Sequence, residues 1–411
     1  MRILLLHQYF LEEDDAGGSR WNEMTKMWAD QGHKIVVLAG MMHPNGYKKR
    51  QEYKGKYFVK RKQNTVDVIR CHVSESYNSG FAGRLWGYFS FMFSSLWAGL
   101  FKTTGRFDVI LVTSPPLFVA FSGYLISRLK RVPFIFEIRD LWPESAIDTG
   151  VLTNKVVIKA AYWFENFIYR KAKLINVLTP AFYNTLKEKK KVPGSKLIMV
   201  PNAADFSLSE NVSRVFDRER FRNELGLNGR FVITYVGAHG VANHLQQVLD
   251  AGKKLEDTPV LFLLIGQGME KEKLKKMAVD MRVKNVRFID PVPKAEVFRY
   301  ILASEMGASV LKKVDTFKTV YSNKTFDYMS CKIPILMAID GVSRELVETA
   351  HAGSYVEPEN VYEYDRIIRI YLNEPERLIV EGMNGYKYAK ANFDREILAN
   401  KYLEFVQKSL S

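Results

Sequence analysis

The chain has 411 residues, 47% of them hydrophobic, with two cysteines and a formal net charge of +15. At roughly 100–200 residues per domain this is material for two full cores, which excludes wholesale disorder. Cys71 and Cys331 are too few for a disulfide framework and have no metal-ligand neighbours, so neither a secreted scaffold nor a structural zinc site is expected. The basic excess calls for an anionic partner, and with no recognised nucleic-acid module in the chain, that partner is expected to be a membrane face or a phosphorylated substrate.

Ile3–Leu6 reads as a first buried strand, too short and too soon followed by polar residues to be a signal peptide. After a loop, Gly17-Gly18-Ser19 opens a helix with Trp21, Met24 and Trp28 on one face, ended by Gly32. Ile35–Ala39 is the next strand. This βαβ opening lacks the GxGxxG spacing of a dinucleotide fingerprint. The block Lys48–Lys62 is basic but for Glu52 and reads as a solvated loop or a polybasic patch. Val66–Cys71 is a further strand. Leu85–Phe101, LWGYFSFMFSSLWAGLF, carries no charge and is bracketed by Arg84 and Lys102. Trp86, Phe89, Phe93 and Trp97 recur at helical spacing, while Gly87, Ser90 and Ser94 make a smaller face. It is marginal as a span, which needs about 20 apolar residues; a membrane-interface helix and a core helix both fit.

Val109–Thr113 and Pro133–Ile138 are strands, the second running into Arg139-Asp140-Leu141-Trp142-Pro143-Glu144. Charges crowded at a strand's carboxyl end carry more information than charges on a helix face, because open α/β sheets bind ligands there. Leu174–Leu178 and Leu197–Val200 follow, and Pro201–Asp205 breaks the rhythm at an expected interdomain crossing. Phe231–Val236 starts a second series, with Gly237-Ala238-His239-Gly240 after it. Val260–Ile265 leads to Gly266-Gln267-Gly268, Val286–Ile289 to Asp290-Pro291-Val292-Pro293, and Gly307–Leu311 to the stretch TVYSNKTFDYMSCKIPILM. There a helix starts at Ser322 or Asn323, and its free N–H groups, dipole and Lys324 suit a phosphate while Asp327 suits sugar hydroxyls. A solvated Lys–Asp pair on an ordinary helix fits equally well. Strand, loop and helix alternate in both halves, so two parallel α/β sheets are expected, with domains at 1–201 and 202–390 and a terminal helix, 391–411, able to return to the first domain.

The segments HQYF…GGSR, GHKIVVLAG, EIRDLWPES, VPNAADF, YVGAHG, LLIGQGMEKEKL, NVRFIDPVP and SNKTFDYMSCKIPIL, in this order, resemble glycosyltransferase family 4, with the bacterial O-antigen and capsule N-acetylfucosaminyltransferase-like subgroup as the nearest pattern. The resemblance covers nearly the whole chain. It implies the GT-B fold, two Rossmann-like domains facing a cleft, and a retaining transfer of sugar from a nucleotide-sugar, UDP-linked by analogy, to a polyprenyl-diphosphate-linked saccharide. Carried over, Lys324 meets the diphosphate and Asp327 the ribose, with Asn323 beside them at the helix start. Gly237 and Gly240 admit the diphosphate, Gly266 and Val292 line the base pocket, and Gly17 and Gly18 lie across the cleft from the phosphates. Asp140 orients the reacting groups. Three departures stand out. The family's paired glutamates fall on Thr319 and Asp327, its Arg and Lys on Ala238 and Asn243, and its Pro-Ser on Ser322-Asn323. Arg20, Arg139, Lys312 and Lys313 are the cations left to neutralise phosphate. No bound metal and no cofactor beyond the co-substrate are expected, nor any nucleic-acid partner. The expected location is the cytoplasmic face of the membrane, held there peripherally. A sugar-nucleotide epimerase of the same fold and an inactive assembly scaffold are the alternatives.

Overall fold

The computed structural model describes residues 1–13, 15, 20–42, 48–78, 80–148, 150 and 152–410. Two compact units emerge: among the described residues one holds Met1–Pro201 together with the segment from Glu396 onward, and the other holds Asn202–Arg395.

The first unit is built on eight strands: β1 (Arg2–Leu6), β2 (Lys34–Gly40), β3 (Phe58–Gln63), β4 (Val66–Cys71), β5 (Val109–Ser114), β6 (Phe134–Ile138), β7 (Leu174–Val177) and β8 (Leu197–Met199). Their order is β3-β4-β2-β1-β5-β6-β7-β8. Ile3–Leu6 and Val109–Val112 are buried without alternation, as strands covered on both faces must be. All neighbours are parallel except β3, which pairs antiparallel with β4 through the two-residue Asn64-Thr65 turn, Asn64 taking a φ of 51°. This hairpin replaces the loop expected at Lys48–Lys62. Its lysines belong to an edge strand, where charge deters pairing with other chains.

The helix Arg20–Asp30 buries Trp21, Met24 and Trp28 as the spacing predicts. The cover over them comes from the far end of the chain: Tyr402 of the helix Arg395–Leu410 lies 5.7 Å from the Trp21 ring and 5.8 Å from that of Trp28, whose Nε1 donates to the Ala399 carbonyl at 3.0 Å.

The charge-free segment forms the helix Gly80–Trp97 and a π-turn, Ala98–Lys102. Its small residues face inward. Ser94 Oγ donates to the His72 carbonyl at 2.7 Å, and a Cβ on Gly99 would overlap Ile126 of the neighbouring helix, Val119–Lys130. Trp86, Phe93, Trp97 and Phe101 face outward, each more than half exposed. Among the described residues no helix is long and apolar enough to cross a membrane.

The second unit has six strands: β9 (Phe231–Val236), β10 (Val260–Ile265), β11 (Val286–Ile289), β12 (Met306–Val310), β13 (Ile335–Ala338) and β14 (Gly353–Tyr355). They run in parallel in the order β11-β10-β9-β12-β13-β14. This is the doubly wound order, which reverses between β9 and β12. The parallel strands of the first unit follow the same order, extended by one strand, and reverse between β1 and β5. The chain leaves the first unit after Pro201 and re-enters it at Glu396. On the second unit's side these two passages are bound together: Ala204 N–H donates to the Phe393 carbonyl at 2.9 Å, and Arg395 reaches the Ala203 carbonyl at 2.8 Å and the Asp205 carboxylate at 3.3 Å.

Candidate active site

In the second unit the strand order opens a crevice at the carboxyl ends of β9 and β12. After β9 the backbone turns through Gly237 at a φ of +147°, and after β10 through Gly266 at +146°. A side chain on Gly266 would overlap the Gly237 carbonyl oxygen, so the two loops press together as only glycine permits. Lys271 fixes this arrangement from below. Its ammonium, buried beneath the loop, donates to the Gly266 carbonyl at 2.8 Å, the Ile289 carbonyl at 3.1 Å and Asp290 at 2.7 Å.

The helix Asn323–Ser330 begins at the same end of the sheet, following β12 and the short turn Asp315–Thr319. Ser322 holds the N-cap position, yet its hydroxyl makes no cap bond and instead accepts from Lys324 Nζ at 3.3 Å. Thr325 N–H donates to the Ser322 carbonyl at 3.1 Å, while the N–H groups of Asn323 and Lys324 are left to other partners. The Lys324 ammonium stands 4.8 Å over the ring of buried Tyr235, against the Gly237 turn. Burial lowers its pKa to about 8, with Asp327 opposing. Asp327 lies one turn on. Burial raises its pKa, and Lys294, Asp205 and Lys324 act on it by charge. Asn323 is exposed and accepts from Asn202 Nδ2 at 2.5 Å. Gly240 caps the turn Val241–Asn243. Val292, after β11, packs on the cluster around Phe221 and Val232, on the β10 side of the crevice.

Sequence reasoning missed three residues here. Tyr328 joins the two strands of the crevice, its hydroxyl lying 3.0 Å from the Thr234 carbonyl, 3.1 Å from that of Ala308 and 3.2 Å from Val236 N–H. His239 is fully buried with neither ring nitrogen hydrogen-bonded among the described residues, and burial, then Lys271 and Lys275, lower its pKa to about 4. Its place between two glycines was the available signal. Lys271 sits in what reads as an ordinary basic helix.

The cations expected to neutralise phosphate separate into two groups. Arg20 is buried and engaged by Glu137 at 3.1 Å, the Val200 carbonyl at 2.9 Å and the Pro201 carbonyl. These partners hold its guanidinium inside the first unit. Lys313 pairs with Glu357 at 2.5 Å. Lys312 is exposed, has no side-chain partner among the described residues, and is fixed at the carboxyl end of β12 by its N–H bond to the Ala242 carbonyl at 2.8 Å. Thr319, at the missing glutamate's position, turns its hydroxyl to the Thr316 carbonyl at 2.6 Å.

In the first unit the corresponding crevice lies between β1 and β5, bridged by His7 Nδ1 and Thr113 Oγ1 at 2.6 Å. Burial and then Arg139 lower the His7 pKa, which favours the neutral ring. Arg139 and Asp140 follow β6. Arg139 has no side-chain partner among the described residues. Asp140 accepts from Ser145 Oγ at 2.7 Å, and burial, outweighing that bond, raises its pKa to about 6. Gly17 and Gly18 lie outside the described residues.

Two parallel-sheet α/β domains, each with its polar residues at the carboxyl ends around the strand-order reversal, make this a GT-B fold. Residues 16–203 match the family described as Glycosyl transferase 4-like domain, and residues 217–388 the family described as Glycosyl transferases group 1. The chain thus carries these two glycosyltransferase domains in tandem. Among individual proteins it is 23% identical to an Escherichia coli glycosyl transferase named for colanic acid biosynthesis, WcaI, over 99% of this chain and 100% of that one. Among solved structures, the sucrose-phosphate synthase of Thermosynechococcus elongatus aligns at a TM-score of 0.75 and 13% identity, over 99% of this chain and 98% of that one. HepE of Anabaena in complex with UDP-glucose aligns at 0.72 and 16%, over 99% and 100%.

Proposed function

We propose that this glycosyltransferase takes a sugar from a UDP-sugar and passes it, with retention at the anomeric carbon, to a lipid-linked saccharide acceptor in surface polysaccharide assembly. The observation that carries this reading is the Lys324 ammonium held over Tyr235 against the Gly237 turn, at the strand-order reversal of the second unit. A cation and free helix N–H groups at that point suit the diphosphate of the donor. Asp327, one turn along, suits the ribose hydroxyls. The UDP-glucose complex named for HepE supports uridine, and the name of WcaI supports polysaccharide.

In this reading the bond between the anomeric carbon and the diphosphate oxygen breaks as the acceptor oxygen bonds to the same face of the sugar. The acceptor's proton passes to the departing phosphate. Negative charge grows on that phosphate, so Lys324, Lys312 and the N–H groups of the first turn stabilise the transition state more than the ground state. Asp140 and Arg139 orient the acceptor. The chain supplies no nucleophile and the reaction proceeds without a bound metal, at the cytoplasmic face of the membrane where the acceptor is found.

A panel of radiolabelled UDP-sugars, incubated with and without lipid-linked acceptors and with and without a chelator, tests this. Acceptor-dependent transfer that survives chelation, giving a product of the donor's anomeric configuration, is the expected result. Isomerised donor without transfer overturns it in favour of an epimerase. Donor binding without chemistry overturns it in favour of a scaffold.

A further inference from the structure

We propose that the helix Gly80–Trp97, the turn Ala98–Lys102 and the edge strand β3 form one face that docks on an anionic lipid bilayer. The apolar half of the argument is a stripe. Trp86, Phe93, Trp97 and Phe101 follow one another at intervals of one or two helical turns, so they share a side, and they are 56%, 57%, 55% and 64% exposed. Aromatic side chains on the dry side of a helix are ordinary. Here Phe91 and Met92 are buried beside Ser90, Ser94, Ser95 and Gly99, and four further aromatics are turned to solvent. Tryptophan and phenylalanine placed this way suit the boundary between headgroups and acyl chains.

The basic half is contiguous with it. The Lys102 ammonium, at the end of the π-turn, stands 5.8 Å from the Phe58 ring centroid at the start of β3. Side chains alternate along a strand, so Lys60 and Lys62 lie on the same side of β3 as Phe58. Both are exposed, as are Lys54 and Lys56, and none of the four makes an ion pair among the described residues, Asp67 standing opposite Lys62 on the neighbouring strand. Tyr57, 69% exposed, stacks on His72, whose carbonyl accepts from Ser94 of the helix. An aromatic stripe edged by exposed lysines outside any ion pair complements an anionic bilayer. A second copy of the chain would bring like charges together across the same face, which disfavours it as the occupant.

Three basic residues of the Lys48–Lys62 block do other work: Lys49 bonds to His72, Arg50 pairs with Asp15 and Arg61 with Glu52. The structure therefore selects which lysines to change. Flotation with phosphatidylcholine vesicles, with and without phosphatidylglycerol, reads docking directly, using wild type, Lys56→Ser/Lys60→Ser/Lys62→Ser and Trp97→Ser/Phe101→Ser. Wild type should float only with the anionic vesicles, with a blue shift of tryptophan emission. The lysine variant should bind about a hundredfold more weakly at low salt, from three cations near the surface. The aromatic variant should lose the binding that persists at high salt. Both change exposed residues, so both should melt with wild type. If either does not, the milder variants Lys60→Gln/Lys62→Gln and Trp97→Leu take its place. Docking serves the lipid-linked acceptor proposed above, but a UDP-induced thermal shift, read alongside, keeps the two apart: the shift should be the same in every variant. Wild type that ignores anionic vesicles, variants that bind as well as wild type, or a wild-type dimer dispersed by the aromatic variant would each overturn the proposal.

Discussion

Lys324 is a cation made partly unstable by its own position, since burial lowers its pKa to about 8. A lysine with a depressed pKa loses its charge as pH rises through that value, so UDP affinity should hold near neutrality and fall between pH 7 and 9. Lys324→Arg, which stays charged throughout, should flatten the profile, and a profile unchanged by that substitution would remove Lys324 from the diphosphate. Lys312→Ala should weaken UDP binding about tenfold, the worth of one charge-assisted contact, while Lys313→Ala should do little because Glu357 already holds that residue. Asp140 answers to the opposite end of the scale. With a pKa near 6, turnover should drop below that pH, and Asp140→Asn should cost turnover about a hundredfold with UDP affinity nearly unchanged. His239 bears on stability. Its pKa is about 4 in the folded protein against an ordinary 6.5, so between those values the unfolded chain binds the extra proton. Stability is full above pH 6.5 and lost as pH falls toward 4, by up to about 3 kcal/mol. Urea unfolding of His239→Leu at pH 7 and pH 5 should show a smaller gap between the two conditions than wild type shows.

Among elements, the crevice of the second unit depends on how closely β12 and the helix Asn323–Ser330 approach. A Cβ on Gly307 would overlap the buried Tyr328 ring, and Tyr328 joins β9 to β12. Gly307→Ala should therefore destabilise the unit by about 2 kcal/mol, as overpacking does, and weaken UDP binding as well; chemical denaturation and nucleotide titration would separate the two effects. The regular elements were largely legible because buried parallel strands are continuous apolar runs, and β9, β10 and β11 have the bounds read from the residues. The exceptions have physical causes. The edge strand β3 has the composition of a solvated loop because its lysines face water, and β14 is three residues long. In the charge-free segment, where no charged residue marks an outer side, only packing reveals that the serine side is the inner one. The candidate site was legible as positions, since strand ends, glycines and a helix start are local signals. Partnership was not: Arg20 meets Glu137 across 117 residues, and no local pattern distinguishes a lysine with a carboxylate beside it, Lys313, from one without, Lys312.

On the scale of the molecule, the segment from Glu396 onward belongs to the unit that the chain began. Tyr402 and the Ala399 carbonyl complete the pocket around Trp21 and Trp28, so a chain ending at Arg395 should leave two tryptophans uncovered. The expected result is a second unit that melts normally and a first unit that is cleaved readily by protease. Equal resistance of both units in the truncated chain would show the terminal helix to be dispensable.

That arrangement sets an order of events at the ribosome. Residues 202–395 are contiguous, and the second unit can close as soon as they have emerged. The first unit, though made earlier, must wait for residues synthesised nearly two hundred positions later. At about 5–20 residues per second, its tryptophan pocket stays open for tens of seconds. The half of the protein that appears first is the half that finishes last, and it carries the exposed aromatic stripe through that interval. Demand for chaperones during synthesis should fall on the first unit, and expressing residues 396–410 in trans should relieve it.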